Sequence, residues 1–168
     1  MKLGVLSNLS IRRAESRDLP AVLELWLEAA DWIYRELGIH QWKPSSFTIE
    51  SVTEHFRKTE LFVSVDGERV MGTYSVQWND PFIWGDRDDE QSGYIHRLVV
   101  SRSYRGEGVG RLLLEQAAVY IRSQGKDRVR LDCMADNVRL NAYYRHQGFE
   151  YLGRVDKPYF SASLYEKK

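Results

Sequence analysis

The 168-residue sequence predicts a single domain of the α/β (α+β) class, a mixed β-sheet with helices on its faces. Three observations carry this prediction. Strand and helix patterns follow one another as β, α, α, β, β, β, α, β, α, β, β, an order that is neither doubly wound nor all-β. Asp66-Gly67 between two apolar runs is a hairpin signal, which makes part of the sheet antiparallel. The stretch Tyr94–Leu114, YIHRLVVSRSYRGEGVGRLLL, reads as a strand, a glycine-rich turn and the start of an amphipathic helix.

In chain order, Ile11-Arg12-Arg13-Ala14 predicts a short first strand. Ser16 or Asp18 is placed to cap the helix that follows, with Pro20 in its first turn and Val22, Leu23, Trp26, Leu27 and Ala30 as its buried stripe. A second helical stretch, Asp31–Leu37, ends at Gly38, the residue type that closes helices. Thr48–Lys58 reads as another short helix. Strands Leu61–Val65 and Arg69–Trp78 flank the hairpin turn, and a polar, acidic loop, Asn79–Ser92, leads to the strand Tyr94–Val100. There the run Leu98-Val99-Val100 suits burial on both faces. Val109, Leu112, Leu113, Ala117, Tyr120 and Ile121 form the apolar stripe of a helix that stops near Gly125. Arg128–Met134 alternates polar and apolar residues as a strand. Asn137 is an N-cap for Val138–His146, which Gly148 closes. Phe149–Val155 and Ser161–Tyr165 are the last strands, separated by Asp156-Lys157-Pro158.

Composition narrows the function classes. Lys+Arg and Asp+Glu number 24 each, so the chain lacks the basic excess of a nucleic-acid or membrane-surface binder. A single cysteine, Cys133, precludes an internal disulfide framework and fits a reducing cytoplasm. The opening MKLGVLSNLS has only a short apolar run and no cleavage pattern, so no signal peptide is expected, and no stretch reaches membrane-spanning length. The chain reads as a cytoplasmic protein.

Between strand and helix, Arg105-Gly106-Glu107-Gly108-Val109-Gly110 removes three Cβ atoms where the backbone turns. Free amides at a helix N-terminus, with Arg105 and Arg111 beside them, favour an anion, and a phosphate-bearing ligand is the natural candidate. A P-loop needs Gly-Lys-Ser/Thr, but Gly110 is followed by Arg111-Leu112. The dinucleotide fingerprint fails too, since its last glycine falls on Arg111 or Leu113.

What remains, R-x-x-G-x-G entering a helix, resembles the acyl-CoA pyrophosphate loop of the GNAT superfamily of N-acetyltransferases. The segment NVRLNAYYRHQGF, Asn137 to Phe149, resembles the family's other hallmark and stands in the same order after the loop. The resemblance covers nearly the whole chain. It implies a largely antiparallel central sheet of roughly six to seven strands flanked by about four helices, with a splay between the fourth and fifth strands. It implies acetyl-CoA as cosubstrate. Arg105, Gly106, Glu107, Gly108, Val109, Gly110 and Arg111 would hold its pyrophosphate, mostly through backbone amides. Backbone at Leu98, Val99 and Val100 would pair with the pantetheine arm, Asn137 would hydrogen-bond it, and Asn141 belongs to the same cofactor-binding set. Tyr144 aligns with the tyrosine that gives a proton to the leaving thiolate, although Tyr143 is an equal candidate on the residues alone.

Acetyl transfer to an amine needs an uncharged nucleophile, a stabilised oxyanion and a proton for the departing sulfur. For the base the candidates are His96, two residues before Leu98 and so on the same strand face, Asp132 on the facing strand, and water. Trp32, Tyr34, Trp42, Trp78 and Trp84 are candidates to wall an acceptor pocket or to serve as core. Asp80, Asp86, Asp88, Asp89 and Glu90 are candidates to attract a cationic amine or to be solvated. The expected partners are therefore acetyl-CoA and an amine acceptor, with no nucleic acid, membrane or metal, and a homodimer is compatible with the family. A silent acyl-CoA-binding module with the same fold is the alternative, and a nucleotide-binding P-loop protein a third, disfavoured one.

Overall fold

The computed structural model describes residues 8–168, so the reading of the N-terminus as leaderless falls, for residues 1–7, outside the described residues. Among the described residues seven strands form one sheet: β1 (Leu9–Arg13), β2 (Glu60–Asp66), β3 (Arg69–Gln77), β4 (Ser92–Val100), β5 (Arg128–Met134), β6 (Glu150–Asp156) and β7 (Ser161–Lys167). Their order is β1-β2-β3-β4-β5-β7-β6. The β1–β2, β5–β7 and β6–β7 pairs are antiparallel, and β4–β5 is parallel. That parallel ladder runs from Ser92↔Arg128 to Ile95↔Leu131 and stops there, although β4 continues to Val100 and β5 to Met134. The splay implied by the family resemblance lies at this point. The helices are α1 (Leu19–Leu37), α2 (Ile49–Lys58), α3 (Pro81–Trp84), α4 (Val109–Ser123) and α5 (Val138–His146).

The chain divides into two compact units. The first takes the chain up to Ser75 together with Arg97–Ala117. Its core gathers Val22, Leu25, Trp26 and Ala30 of α1, Val52 of α2, Leu61, Val63 and Val65 of β2, and Val99. Each such Val or Leu side chain, buried from water, contributes about 1.5–3 kcal/mol. Two helices were expected over 19–37, but α1 is continuous. No Gly or Pro interrupts it, and buried Val22, Trp26, Ala30 and Ile33 keep one stripe at helical spacing through the expected break. Asp18 stands at its N-cap position without capping it. Its carboxylate instead takes two hydrogen bonds from Arg12, at 2.7 and 2.9 Å, and one from the Glu15 amide at 2.7 Å.

The second unit is Val76–His96 with Ala118–Lys168. The expected acidic loop contains a helical turn, α3, started by Asp80 and Pro81, whose Ile83 and Trp84 pack with Tyr94, Ala162 and Leu164. Alternation along β5 does not translate into a polar outer face. Arg130 is buried, donating to Glu166 at 2.8 Å, to the Arg87 carbonyl at 2.6 Å and to the Tyr94 hydroxyl at 3.1 Å, with Asp89 at 3.2 Å. Burial disfavours its charge, but Glu166, Tyr94 and Asp89 outweigh that and hold the guanidinium protonated above its ordinary range. Gly93 allows close helix–sheet contact here, because a Cβ at that position would stand 2.7 Å from two Ile121 carbons.

Candidate active site

In the first unit the glycine turn is built by backbone. Gly106 and Gly108 adopt φ of +78° and +80°, and a Cβ on either would meet nothing within 4 Å. Conformation, not crowding, therefore demands glycine, and the space beside the turn is open. Arg105 and Glu107 spend their amides on the Arg102 and Tyr104 carbonyls at 3.2 and 3.3 Å. The Leu112 amide reaches back to the Gly108 carbonyl at 3.2 Å, so the amides of Val109, Gly110 and Arg111 stand ahead of the intrahelical ladder. The Arg111 side chain pairs with Glu115 at 2.9 Å on the surface, and Arg105 is exposed. Buried Tyr104, with Arg69 stacked 5.3 Å from its ring centre, roots the turn.

β4 departs from a regular strand at Arg97, whose φ of +54° is left-handed in a residue that is not glycine. That conformation costs about 1–3 kcal/mol. The Arg97 guanidinium lies 5.0–5.4 Å from the ring centres of Trp26, Trp42 and Phe47, contacts that offset the strain. The irregularity also removes the strict two-residue period that placed His96 and Leu98 on one face. Val99 is buried, whereas Leu98 and Val100 are only half-buried, so the run is not enclosed on both faces.

In the second unit Asn137 caps α5 through its side-chain oxygen, which accepts from the Leu140 amide at 3.1 Å. Asn141 is fully engaged. Its amide donates to the Asn137 and Met134 carbonyls at 2.8 and 3.2 Å, and its oxygen accepts from the Tyr165 hydroxyl at 2.6 Å. These bonds hold the start of α5 against the end of β5. Tyr144 is buried among Tyr143, Phe149 and Tyr165, while Tyr143 is half-buried. Burial, with Cys133, Tyr143 and Asp132 adding to it, raises the Tyr144 phenol well above its ordinary value. Burial likewise pushes the Cys133 thiol up to about 12.

His96 lies at the end of this unit, with Nε2 3.1 Å from Asp80 Oδ2. Both atoms are sealed from solvent, and they sit at ion-pair distance without the alignment of a hydrogen bond. One donor atom each from Asp80, His96 and Asp132 lies within 4.8 Å of the others. The sequence reading named Asp80 only as one of five acids that could attract a cationic amine, although Asp-Pro at a helix start is a capping signal that could have singled it out from the others. Two of those others have structural work: Asp88 accepts from the Asp80 amide at 2.9 Å, and Asp89 binds Ser92, Arg128 and Arg130. Of the candidate pocket aromatics, Trp84 is buried under Arg130, Trp32 carries Arg102 at 3.9 Å, Tyr34 stacks on His40, and Trp78 meets Tyr120.

A sheet whose parallel ladder stops short, with a glycine turn leading into a helix, defines a class of fold shared with solved acetyltransferases. PaiA N-acetyltransferase from Thermoplasma acidophilum, solved in complex with coenzyme A, superposes with a TM-score of 0.75 at 19% identity over 95% of this chain and 98% of that one. Ribosomal-protein-alanine N-acetyltransferase from Brucella melitensis superposes with a TM-score of 0.71 at 24% identity, over 94% and 98%. The acetyltransferase (GNAT) family model matches residues 19–149, and the chain belongs to that family. In sequence it is similar to the uncharacterized N-acetyltransferase YesJ of Bacillus subtilis (strain 168), 33% identical over 158 residues, 90% of this chain and 85% of the relative. Among the described residues no helix is long and apolar enough to cross a membrane.

Proposed function

We propose that this chain is a single-domain N-acetyltransferase that moves the acetyl group of acetyl-CoA to a primary amine of a small molecule or peptide by direct attack on the thioester. The observation that carries this reading is the open, amide-lined turn at 105–111, together with membership of the acetyltransferase family. The coenzyme A held by the Thermoplasma acidophilum neighbour supports the same cosubstrate here.

In this mechanism the amides of 108–111 take the diphosphate, with Arg105 as an outer charge. Backbone at Leu98–Val100 pairs with the pantetheine arm and offers an amide to the oxyanion. Asn137 binds the arm while capping α5, and Asn141 contributes by holding Asn137 in place. The acceptor ammonium gives up a proton to His96, Asp132 or water, and its lone pair forms the C–N bond. The C–S bond then breaks, Tyr144 protonates the sulfur, and the second proton on nitrogen restores the phenol. A phenol held neutral by burial always carries the proton it must give, and its high proton affinity also draws that second proton back.

Acetylation of an amine panel, followed by mass spectrometry of the products, tests the reading. Tyr144→Phe is expected to lower kcat about 100-fold at unchanged KM for acetyl-CoA. Equal activity would remove Tyr144 from the mechanism, and coenzyme A binding without turnover on any amine would favour a silent binding module.

A further inference from the structure

In the first unit, β4 carries a left-handed φ of +54° at Arg97, two residues after its parallel ladder stops at Ile95. Beyond that turn the chain is anchored by the Ser101 amide, which donates to the Met71 carbonyl at 2.8 Å, and by Val99, buried with Leu61, Val63 and Val65. Neither anchor acts on the Arg97 side chain. An arginine keeps such a backbone angle only where its surroundings over-determine it, and here the surroundings are three rings. The guanidinium centre lies 5.2 Å from the ring centre of Trp26, 5.4 Å from that of Trp42 and 5.0 Å from that of Phe47. The rings brace one another: Phe47 is 5.2 Å from Trp26 and 6.1 Å from Trp42, and the His55 ring stands edge-on to Trp26 at 5.3 Å. Trp26 comes from α1, His55 from α2, and Trp42 and Phe47 from the segment between them. A planar cation half-buried over three aromatic rings is attracted by each of them. Rotation about the Arg97 backbone re-aims the amides and carbonyls that follow it, so this box bears on residues 98–100.

We propose that Arg97 is a positioning residue for acetyl-CoA, whose side chain, boxed by Trp26, Trp42 and Phe47, holds the left-handed turn that aims the 98–100 backbone at the pantetheine arm. This rests on the acetyl-transfer reading. The arm carries amides and carbonyls of its own, so its fit depends on the directions of main-chain donors and acceptors. The diphosphate, taken by the amides of 108–111, does not depend on Arg97. The box therefore governs recognition of the arm and leaves recognition of the diphosphate alone.

Arg97→Ala and Arg97→Gly separate conformation from packing. Both delete the guanidinium, but glycine enters the left-handed region without strain and alanine does not. Calorimetry with coenzyme A is expected to show about tenfold weaker binding to Arg97→Ala and a loss within about threefold for Arg97→Gly. ADP, which carries a diphosphate without the arm, is expected to bind the wild type and both variants alike. Trp42→Leu, a milder change that keeps an apolar contact and removes one ring of the box, is expected to weaken coenzyme A about threefold and to leave ADP unaffected. A wild type that binds coenzyme A while the alanine variant binds it as tightly would overturn the positioning role alone. Equal losses in the alanine and glycine variants, or a parallel loss of ADP, would overturn it too, because either would mark Arg97 as general packing. A wild type that binds no coenzyme A would defeat the acetyl-transfer reading first, and the role of Arg97 with it.

Discussion

The glycine turn of the first unit and the acid–base cluster of the second differ in how they are made. The turn uses consecutive residues and main-chain atoms: Gly106 and Gly108 hold left-handed φ, and the amides that follow precede the helical ladder. The cluster uses side chains far apart in sequence, Asp80 from a loop helix, His96 from β4 and Asp132 from β5. Main-chain chemistry needs only local conformation, whereas a side-chain cluster needs the fold to be complete around it. The first is robust to most side-chain changes and intolerant of a Cβ. The second depends on every ion pair that shapes the 79–92 loop.

Three changes would break or sharpen that contrast. Gly108→Glu is expected to have the largest effect. A side chain at φ +80° costs about 1–2 kcal/mol and sets a negative charge against the diphosphate, so calorimetry should detect no acetyl-CoA binding while the fold survives. Unchanged affinity would contradict the role given to the turn. Glu166→Gln comes next. It leaves buried Arg130 with Asp89 alone as its anionic partner and should cost about 3 kcal/mol by chemical denaturation, with the 79–92 loop loosened and acetyl-CoA affinity little changed. Loss of cofactor binding in this variant would blur the distinction between the two regions.

The smallest effect concerns Cys133. Its thiol is pushed up to about 12 by burial, so it should resist alkylation at neutral and mildly alkaline pH unless the protein is denatured. The sign of the linked stability follows. A folded-state value above that of the unfolded thiol contributes stability that is complete below ~8.5 and lost as pH rises toward the folded value. Rapid alkylation of the native protein would show that β5 opens locally.

Much of the fold was legible because its signals are local. Asn137 as cap, β5 at Arg128–Met134 and α5 at Val138–His146 match the structure, as each depends on neighbours within a few residues. Elsewhere longer-range packing prevailed. The stripe through Ala30 and Ile33 joined two expected helices, and a charge network around Arg130 buried a residue that alternation would have turned outward. Asp80 looked like one acid among five, and only its fixed backbone and its approach to His96 distinguish it.

The sequence by itself determined the order of the strands, the glycine turn and the family, because periodicity, caps and left-handed glycines act over short stretches of chain. Only the tertiary structure decided where the β4–β5 ladder stops, which acid faces His96 and that Tyr144 is enclosed. Those outcomes depend on distances between residues remote in sequence and on the exclusion of water around them, which no local pattern encodes.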